Sequence, residues 1–298
     1  MVVAAPALSP ARVWWSAVRP ATLAASVAPV LAGTAIAIHE GGARFGAGLA
    51  ALVVAVGIQL GVNFANDYSD HVRGADVRRV GPVRAASSGV VRPEQVRWAA
   101  TAAFGLAGLV GLALSVAVDL RLLVVGAACI LAAWLYTGGP RPYGYFGLGE
   151  VFVFVFFGLV ATLGTVYVET GMVTATSVLV GCAMGCLATA ILVLNNLRDI
   201  DTDVAAGKRT LATRIGRGPT RWLLVALVCV AFAIPIVLVA TKLAGASVML
   251  VYLAVPIAAL PLRTAFAATS APALVGALKR MAVAQLTYAL LFTLGLLL

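Results

Sequence analysis

Long apolar runs dominate the chain, and short polar stretches separate them. Nine runs of at least 18 residues contain no Asp, Glu, Lys or Arg. They cover 20–38, 45–66, 98–118, 122–140, 151–168, 170–197, 222–241, 243–262 and 281–298. A membrane-spanning helix needs about 20 mostly apolar residues. The pattern therefore predicts an all-α, polytopic membrane protein with about nine transmembrane helices. The weakly charged segment at 264–278 leaves this count open by one.

The composition supports the same fold class. Hydrophobic residues make up 62% of the chain and charged residues only 11%, which excludes an ordinary soluble globular protein. Because the apolar runs occupy most of the sequence, we expect one membrane-embedded domain over residues 1–298. The four cysteines lie inside apolar runs and lack the spacing of a zinc site or a disulfide framework.

The basic residues are distributed unevenly between the two sides of the predicted membrane. Of the 21 Lys and Arg residues, only Arg44, Arg121 and Lys242 fall in one set of alternate polar segments. By the positive-inside rule, we expect a cell-membrane protein with a cytoplasmic N-terminus and an outer C-terminus. Arg12 and Arg19 precede the first apolar run, and we expect that run to be retained rather than cleaved as a signal. The net charge of +10 is then a topology signal, and no nucleic-acid partner is expected.

Two acidic clusters lie where apolar runs end, both on the predicted cytoplasmic side. Residues 63–70 read NFANDYSD and residues 195–203 read NNLRDIDTD, and together they hold five of the eleven acidic residues. Carboxylates at the end of a membrane helix are costly unless they bind something. The first Asn residues of the clusters are 132 positions apart, which suggests two helical halves that contribute facing parts of one site.

Helical spacing selects candidate ligands within each cluster. On a helix, Asn63, Asp67 and Asp70 lie on one side, at i, i+4 and i+7. Asn195, Asp199 and Asp203 form a second row at i, i+4 and i+8, with Asn196 beside it and Asp201 well off it. Oxygen ligands without His or Cys suit Mg²⁺. The alternative is that these acids only pair with nearby Arg residues at the membrane interface.

Basic residues follow both clusters. Arg79 and Arg84 come after the first, and Lys208 comes directly after the second. Beside bound Mg²⁺, such residues would hold a diphosphate and stabilise it as a leaving group. The alternative for each is the general positive charge of cytoplasmic loops.

Three stretches carry a resemblance to a known family. They are Asn63–Asp76 with the following Arg79–Arg84, then Tyr136–Glu150, and Asn195–Gly216. In sequence and order they resemble the UbiA-type intramembrane aromatic prenyltransferases, a likeness that extends over essentially the whole chain. Within that family, Tyr136–Glu150 favours the branch that acts on 1,4-dihydroxy-2-naphthoate in menaquinone biosynthesis.

The resemblance implies a fold, a reaction and a set of ligands. It implies helices around a central cavity that binds Mg²⁺ and a polyprenyl diphosphate, whose tail extends into membrane lipid. The implied Mg²⁺ ligands are Asn63, Asp67, Asp70, Asn196, Asp199 and Asp203. Asp67, Asp199 and Lys208 are the implied catalytic residues, and Lys208 neutralises charge as the allylic C–O bond breaks. The naphthoate ring then attacks the allylic cation and loses CO₂, giving demethylmenaquinone.

The acceptor is an aromatic acid and needs a cationic or hydroxyl partner. Tyr136, Arg141 and Tyr143 are the expected acceptor-binding residues, with Tyr145 a weaker candidate; the alternative for the tyrosines is an interfacial aromatic belt. Phe64, Tyr68 and Phe152 could shield the cation, whereas 152–157 (FVFVFF) is expected to be mainly apolar span. Glu150 is expected to cap a helix or to orient Arg141 rather than to be catalytic.

Three other functions compete with this hypothesis. A prenyltransferase could act on another acceptor such as 4-hydroxybenzoate. An ion-coupled transporter would carry its acids near the bilayer midplane rather than at one face. A phosphatidyl-alcohol transferase would carry one continuous motif with Gly after its second Asp, whereas His71 follows Asp70 here.

Overall fold

The computed structural model describes residues 9–74, 83–136, 138, 142–268 and 270–298. All regular structure in these residues is helical. The first six helices are α1 (Pro10–Val18), α2 (Pro20–His39), α3 (Phe45–Val72), α4 (Pro93–Ala117), α5 (Leu122–Leu135) and α6 (Gly149–Thr170). The remaining five are α7 (Ala175–Ala205), α8 (Leu211–Ile215), α9 (Arg217–Ala240), α10 (Ala246–Ala267) and α11 (Ala271–Leu297). A short 3₁₀ helix, Tyr143–Phe146, precedes α6.

The helices confirm the all-α membrane fold. Within the described residues, eight helices are long and apolar enough to cross a membrane: α2, α3, α4, α6, α7, α9, α10 and α11. Helix α5 is equally apolar but has 14 described residues, and it occupies the fourth predicted run. Each of the nine predicted runs therefore has its own helix, and the chain is a multi-pass membrane protein.

Several helices extend beyond the apolar runs. Helix α3 continues to Val72 and α7 continues to Ala205, so each acidic cluster lies on the last turns of a long helix. Helix α11 begins at Ala271, ten residues before the ninth run, and it carries Lys279 and Arg280. Hydropathy locates only the part of a helix that lies in hydrocarbon, and hydrogen bonding carries the helix further into the polar interface.

Helix α7 is the central element of the bundle. It packs against α2, α6, α9 and α11, and its side chains form much of the main core. Small residues bring it close to α6: a Cβ built on Gly158 would overlap the backbone of Gly185. Gly158 lies in a π-helical segment of α6, Phe154–Val160, which replaces the regular α-helical turn there. Small residues at such contacts are typical of membrane helix packing.

A proline inside α9 is compensated by a tyrosine from α11. Pro235 has no N–H to donate to the carbonyl of Ala231 one turn earlier. The Tyr288 hydroxyl donates to that carbonyl at 2.9 Å, and the Tyr252 hydroxyl donates to the next one, of Phe232, at 2.7 Å. Neighbouring helices thus satisfy the backbone groups that the proline frees, as membrane interiors require.

A smaller core holds the end of α3. Val13 and Ala17 of α1 pack with Phe64 of α3 and with Ala85 and Ala86 of the segment after it. Helix α1 is amphipathic, with this face buried and Trp15 exposed. The first acidic cluster is therefore enclosed by α1 and by the 83–92 segment.

Candidate active site

Both acidic clusters face one polar cavity of about 180 Å³ at the ends of α3 and α7. Five of the six predicted metal ligands line it: Asn63, Asp70, Asn196, Asp199 and Asp203. Of the predicted diphosphate ligands, Arg84 and Lys208 line the same cavity. Two clusters more than 100 residues apart in sequence are thus brought together, as the helical spacing predicts.

Asp67 faces the chain segment that follows α3. Its side chain is fully buried, and its two carboxylate oxygens accept hydrogen bonds from the backbone N–H groups of Ala85 (2.9 Å) and Ala86 (3.1 Å). These bonds fix the segment that begins with Arg84. The geometry therefore gives Asp67 an anchoring contact in addition to any contact with a metal.

Asn63 is also engaged by its neighbours. Its Nδ2 donates to the Val18 carbonyl at 2.9 Å and to the Thr22 hydroxyl at 3.0 Å. Its Oδ1 accepts from Gln59 Nε2 at 2.9 Å. The amide thus ties α3 to α2 and to the end of α1.

A second i, i+4 pair is interleaved with the predicted one. Asn66 and Asp70 both line the polar cavity, one residue row away from Asn63 and Asp67. The sequence analysis placed Asp70 among the ligands but passed over Asn66, although Asn66 has the same spacing to Asp70 as Asn63 has to Asp67. That spacing was the signal that could have identified it.

Cations cover the carboxylates in this structure. Arg84 lies 2.7 Å from one oxygen of Asp70, and Lys208 Nζ lies 3.3 Å from the other. In the second cluster, Arg198 donates to Asp199 through Nε (2.7 Å) and a terminal nitrogen (2.5 Å). Such charge-assisted bonds between buried groups keep a cavity rich in carboxylates close to neutral.

The environment of Lys208 favours its charged form. Burial lowers the pKa of Lys208, but the nearby Asp70 and Asp203 carboxylates, with the hydrogen bond to Asp70, raise it by more, so the pKa lies above its ordinary value. The ammonium also lies 4.8 Å from the centre of the Tyr145 ring, within cation–π distance. Lys208 is thus a cation at neutral pH, on the wall of the polar cavity.

Tyr145 joins three segments around the cavity. Arg73, after α3, lies 5.5 Å from its ring, and Lys208, after α7, lies on the same aromatic system. The backbone N–H of Arg209 donates to the Tyr145 carbonyl at 3.0 Å. This tyrosine was only a weaker acceptor candidate in the sequence, and its position instead links it to the cations.

Arg19 is a cavity residue that the sequence analysis did not select. It lies between α1 and α2 in the left-handed region, with φ +51° and ψ +68°, an uncommon conformation for a residue other than glycine. It lines the polar cavity. In the sequence, the charge of Arg19 is explained by the positive-inside rule, and no motif spacing indicates a role at the site.

The donor set fits Mg²⁺ that is bound together with an anion. Carboxylate and amide oxygens from both clusters line the cavity, next to cations that suit a diphosphate. In the part of the chain that the structure describes, no three His, Cys, Asp or Glu side chains are grouped closely enough to hold a metal alone. The remaining ligands of a metal here would have to be amide, water or substrate oxygens, which Mg²⁺ accepts readily.

A larger apolar cavity of about 410 Å³ continues from the polar one. Four residues line both: Val62, Tyr136, Val153 and Phe157. The apolar cavity follows α5 from Tyr136 back to Leu122, a distance of about 20 Å along the helix. Small residues of α4 and α5, including Gly111 and Gly126, form much of its wall.

Aromatic rings line the junction and one wall of the apolar cavity. Tyr136 contacts Tyr143 edge-on (ring centres 5.5 Å apart), Tyr143 stacks on Phe152 (3.9 Å), and Phe152 stacks on Phe156 (5.9 Å). Burial raises the pKa of the Tyr143 hydroxyl. The segment 152–157 (FVFVFF) was expected to be mainly apolar span, with Phe152 a candidate shield for the cation; in the structure Phe152, Phe156 and Phe157 line this cavity.

The other proposed aromatic shields lie elsewhere. Phe64 packs edge-on against Trp14 of α1, with ring centres 5.8 Å apart, in the smaller core. Tyr68 packs against the same core. Two predicted site residues, Arg79 and Arg141, lie outside the described residues.

Glu150 contacts the second acidic cluster. It is 7% exposed, and its Oε1 accepts a hydrogen bond from Asn196 Nδ2 at 2.9 Å. It lies in the first turn of α6, where the helix dipole favours a negative charge. The predicted position at the helix start is confirmed, and the structure adds a contact with a predicted metal ligand.

Comparison with known sequences gives consistent matches. The profile described as the UbiA prenyltransferase family matches residues 26–291. The 1,4-dihydroxy-2-naphthoate octaprenyltransferase of Mycobacterium tuberculosis (strain ATCC 25618 / H37Rv) is 48% identical over 225 residues, which is 76% of this chain and 77% of the relative. The protein of the same name from Haemophilus influenzae (strain ATCC 51907 / DSM 11121 / KW20 / Rd) is 36% identical over 302 residues, and covers 96% of each chain.

Solved structures share the fold at low sequence identity. An apo UbiA homologue from Aeropyrum pernix K1 superposes with a TM-score of 0.65 at 14% identity, over 96% of this chain and 98% of the homologue. A UbiA homologue from Archaeoglobus fulgidus, bound to DMAPP and Mg²⁺, gives a TM-score of 0.60 at 14% identity, over 94% and 99%. At this identity the likeness supports the helical architecture alone.

Proposed function

This chain belongs to the UbiA prenyltransferase family, and we propose that within it the chain transfers a polyprenyl group from polyprenyl diphosphate to 1,4-dihydroxy-2-naphthoate. The allylic C–O bond breaks, a C–C bond forms to the ring, and CO₂ and diphosphate leave. The product is demethylmenaquinone in its reduced, quinol form. The name of the relatives at 48% and 36% identity, 1,4-dihydroxy-2-naphthoate octaprenyltransferase, gives the same acceptor and a polyprenyl group, and so supports the proposal.

The observation that carries the proposal is the junction between the two cavities. A polyprenyl diphosphate has a highly charged head and a long apolar tail, and the molecule offers a polar cavity that opens into an apolar one. Tyr136, Val153 and Phe157 border both. The allylic carbon, where head and tail meet, would lie at this junction.

The head would be held by cations already present on the wall. Arg84 and Lys208 both contact Asp70 in this structure. If Asp70 were to bind Mg²⁺, these cations would be released to the diphosphate oxygens, at little electrostatic cost. Arg79 is proposed to assist from the same loop, and Arg19 adds charge from the opposite side.

Mg²⁺ would be held by oxygens of both clusters. We assign Asp70, Asn196, Asp199 and Asp203 to direct contact, with Asn63 and Asp67 holding α3 and the following loop in place. When bound, the ion supplies neutralisation of the charge that develops on the departing diphosphate. The Archaeoglobus fulgidus homologue, which is bound to DMAPP and Mg²⁺, gives indirect support.

The tail would occupy the apolar cavity and continue toward lipid. The apolar cavity is about 20 Å long and accommodates only part of a long polyprenyl chain. The wall of small residues on α4 and α5 leaves room for the branched chain. Burial of a large apolar tail also accounts for an enzyme embedded in the membrane.

The acceptor ring would bind at the aromatic end of the junction. The Tyr136 and Tyr143 rings offer π faces to an aromatic acceptor and to an allylic cation. Arg141 is proposed as the partner of the acceptor carboxylate. The enclosed, apolar surroundings keep water from the cation.

The charge distribution supports an orientation in the membrane. The N-terminus and both acidic clusters are proposed to face the cytoplasm, and the C-terminus the outside, in the cell membrane. Diphosphate and naphthoate, both water-soluble groups, would then reach the polar cavity from the cytoplasm.

A product assay with matched variants tests the proposal. Detergent-purified protein is incubated with Mg²⁺, radiolabelled polyprenyl diphosphate and either 1,4-dihydroxy-2-naphthoate or 4-hydroxybenzoate, with and without EDTA. We expect EDTA-sensitive prenylated product with the naphthoate only, and its loss in Asp70→Ala and Asp199→Ala. Asp201→Ala is the control, because Asp201 is exposed and pairs with Arg217 away from the cavity.

Other results would revise the proposal in defined ways. Product with 4-hydroxybenzoate instead would keep the chemistry and overturn the acceptor. Folded protein that forms no product with either acceptor would overturn the assigned reaction.

A further inference from the structure

Glu150 contacts Asn196 but is not among the residues that line the polar cavity. We propose that Glu150 is a positioning residue that fixes the Asn196 amide with its carbonyl oxygen toward the metal–diphosphate site. The inference rests on the proposed function, because it assigns a task to a residue that the reaction itself does not use.

The geometry defines which end of the amide faces which neighbour. Asn196 Nδ2 donates to Glu150 Oε1 at 2.9 Å, between α7 and α6. Asn196 itself lines the polar cavity and is 6% exposed. A side-chain amide has one oxygen, its metal-binding atom, and one nitrogen, which cannot bind a cation. Because the Asn196 nitrogen is hydrogen-bonded to Glu150, the amide oxygen is left to face the cavity.

A carboxylate is the partner that enforces this orientation. Oε1 of Glu150 accepts a hydrogen bond from the amide nitrogen, whereas the amide oxygen has no hydrogen to donate to it. Across the helix contact, the Thr189 hydroxyl of α7 lies 3.4 Å from the Glu150 carbonyl oxygen and holds the two helices in register.

The Asn63 amide is held differently from that of Asn196. Both of its ends are hydrogen-bonded to protein, the oxygen to Gln59 and the nitrogen to Val18 and Thr22. In the described part of the chain, the hydrogen bond of Asn196 runs through its nitrogen to Glu150. Asn63 of the first cluster and Asn196 of the second thus differ in which amide atom is available.

The remaining oxygen of Glu150 is consistent with a dedicated role. Oε2 is buried and has no hydrogen-bond partner among the described residues. Leaving such a group unpaired is costly, and Leu or Met would fill the same space without that cost. The carboxylate is therefore better explained by what Oε1 does for Asn196 than by packing.

Metal binding without turnover provides the test. Mn²⁺ is titrated into detergent-solubilised protein in the presence of inorganic diphosphate, and bound Mn²⁺ is measured by electron paramagnetic resonance. For Glu150→Leu we expect Mn²⁺ affinity to fall about 10–100-fold, the usual effect of losing an orienting partner. Glu150→Gln retains an acceptor for Asn196 and is expected to stay within about threefold of wild type.

Two further variants separate positioning from general damage. Glu169→Leu removes another buried glutamate, at the other end of the same helix, where it accepts from Thr34, and is expected to leave Mn²⁺ affinity unchanged. Glu150→Leu combined with Asn196→Ala should bind Mn²⁺ no more weakly than Asn196→Ala alone, because Glu150 acts through Asn196.

The outcomes distinguish this inference from the proposed function. Wild-type Mn²⁺ affinity in folded Glu150→Leu overturns the inference, as does a loss in Glu150→Gln as large as that in Glu150→Leu. If Glu150→Leu does not fold, Glu150→Met, which keeps the length of the side chain and removes the acceptor, takes its place in both comparisons. Wild-type protein that binds no Mn²⁺ with diphosphate would instead count against the proposed function itself.

Discussion

Lys208 and Asp70 are 138 residues apart in sequence, yet Lys208 Nζ lies 3.3 Å from Asp70 Oδ1. One follows α7 and the other lies near the end of α3. The ion pair joins the first acidic cluster to the segment that follows the second, and Arg84, from the loop after α3, contacts the other Asp70 oxygen. Ion pairs thus hold the two halves of the polar cavity together. A metal ion could replace the cations at Asp70, and a diphosphate could replace Asp70 as the partner of the cations.

Replacement of Lys208 should affect the reaction more than the fold. In Lys208→Met we expect kcat to fall by about 10²–10³, since a preorganised cation for the leaving group is lost. Arg84 would still neutralise Asp70, so thermal stability should change little. Turnover is measured at saturating substrates, with Arg217→Met as the control, because Arg217 pairs with exposed Asp201 outside the cavity. Equal losses of turnover in the two variants would contradict the role of Lys208.

Loss of the Asp67 carboxylate should lower the stability of the protein, because this side chain anchors the segment after α3. Asp67→Ala leaves the buried N–H groups of Ala85 and Ala86 without their acceptor, and we expect a loss of about 1–3 kcal/mol in the free energy of unfolding. Activity should fall as well, because Arg84 loses its fixed position. The comparison is with Asp70→Ala in a thermal unfolding series. A loss of activity without any loss of stability in Asp67→Ala would assign Asp67 to metal binding alone.

The apolar cavity should limit the prenyl chain that the enzyme accepts. Gly126 lines it, and a Cβ built there meets no atom within 4 Å, so Gly126→Leu adds bulk without a backbone clash. We expect kcat/KM for a long polyprenyl diphosphate to fall at least about tenfold relative to geranyl diphosphate, a difference of about 1.4 kcal/mol. Gly105→Leu is the matched control on α4, with equally open surroundings. An equal response to both chain lengths in Gly126→Leu would be evidence against this path for the tail.

The end of the bundle away from the acidic clusters should tolerate acid. The Tyr167 hydroxyl donates to Asp119 at 2.5 Å, and Arg121 donates to it through its backbone N–H at 2.8 Å and its side chain. These bonds, that of Tyr167 first, lower the pKa of Asp119 from 3.8 to about 2. A carboxyl group whose pKa is lowered by folding stabilises the folded protein at pH values above its ordinary pKa. That stability is lost as the pH falls from the ordinary pKa through the lowered one.

The expected signature is a pH-dependent difference in melting temperature. Wild type should melt higher than Asp119→Asn by a constant margin between about pH 8 and pH 5, and the margin should shrink only below the ordinary carboxyl pKa. The difference in melting temperature is measured by thermal unfolding in detergent, from about pH 8 to below the ordinary carboxyl pKa. Tyr167→Phe is a second variant. A margin that already shrinks near neutral pH would show that other groups control this contact.

The sequence predicted the helices and the site region well, since both depend on local patterns. Apolar runs of membrane length specify spanning helices, and the acidic clusters at their ends mark one face. The sequence did not show which row of α3 faces the cavity. That rotation depends on packing against α4, where Gly57 approaches Ala107 and Gly61 lies against the ring of Phe104. In the structure Asn63, Asn66 and Asp70 line the cavity, whereas Asp67 faces the backbone of Ala85 and Ala86.

The aromatic wall was missed for a related reason. Phe152 was a candidate, but Phe156 and Phe157 read as uniform span because the run is apolar all round. The π-helical segment Phe154–Val160 changes the angle between successive side chains, so the facing residues cannot be read from a regular helical period. Arg19 escaped because its role depends on a left-handed turn between two helices rather than on its neighbours in sequence.

The Tyr288 hydroxyl and Pro235 have a consequence for how this sequence can change over time. While position 235 is proline, Tyr288→Phe leaves the buried Ala231 carbonyl without a hydrogen-bond donor, whereas with alanine at 235 the helix supplies that donor itself. The same substitution at 288 is therefore harmful in one background and nearly neutral in the other. The two positions are epistatic, and an evolutionary path from this chain to one with Phe at 288 would have to lose the proline first.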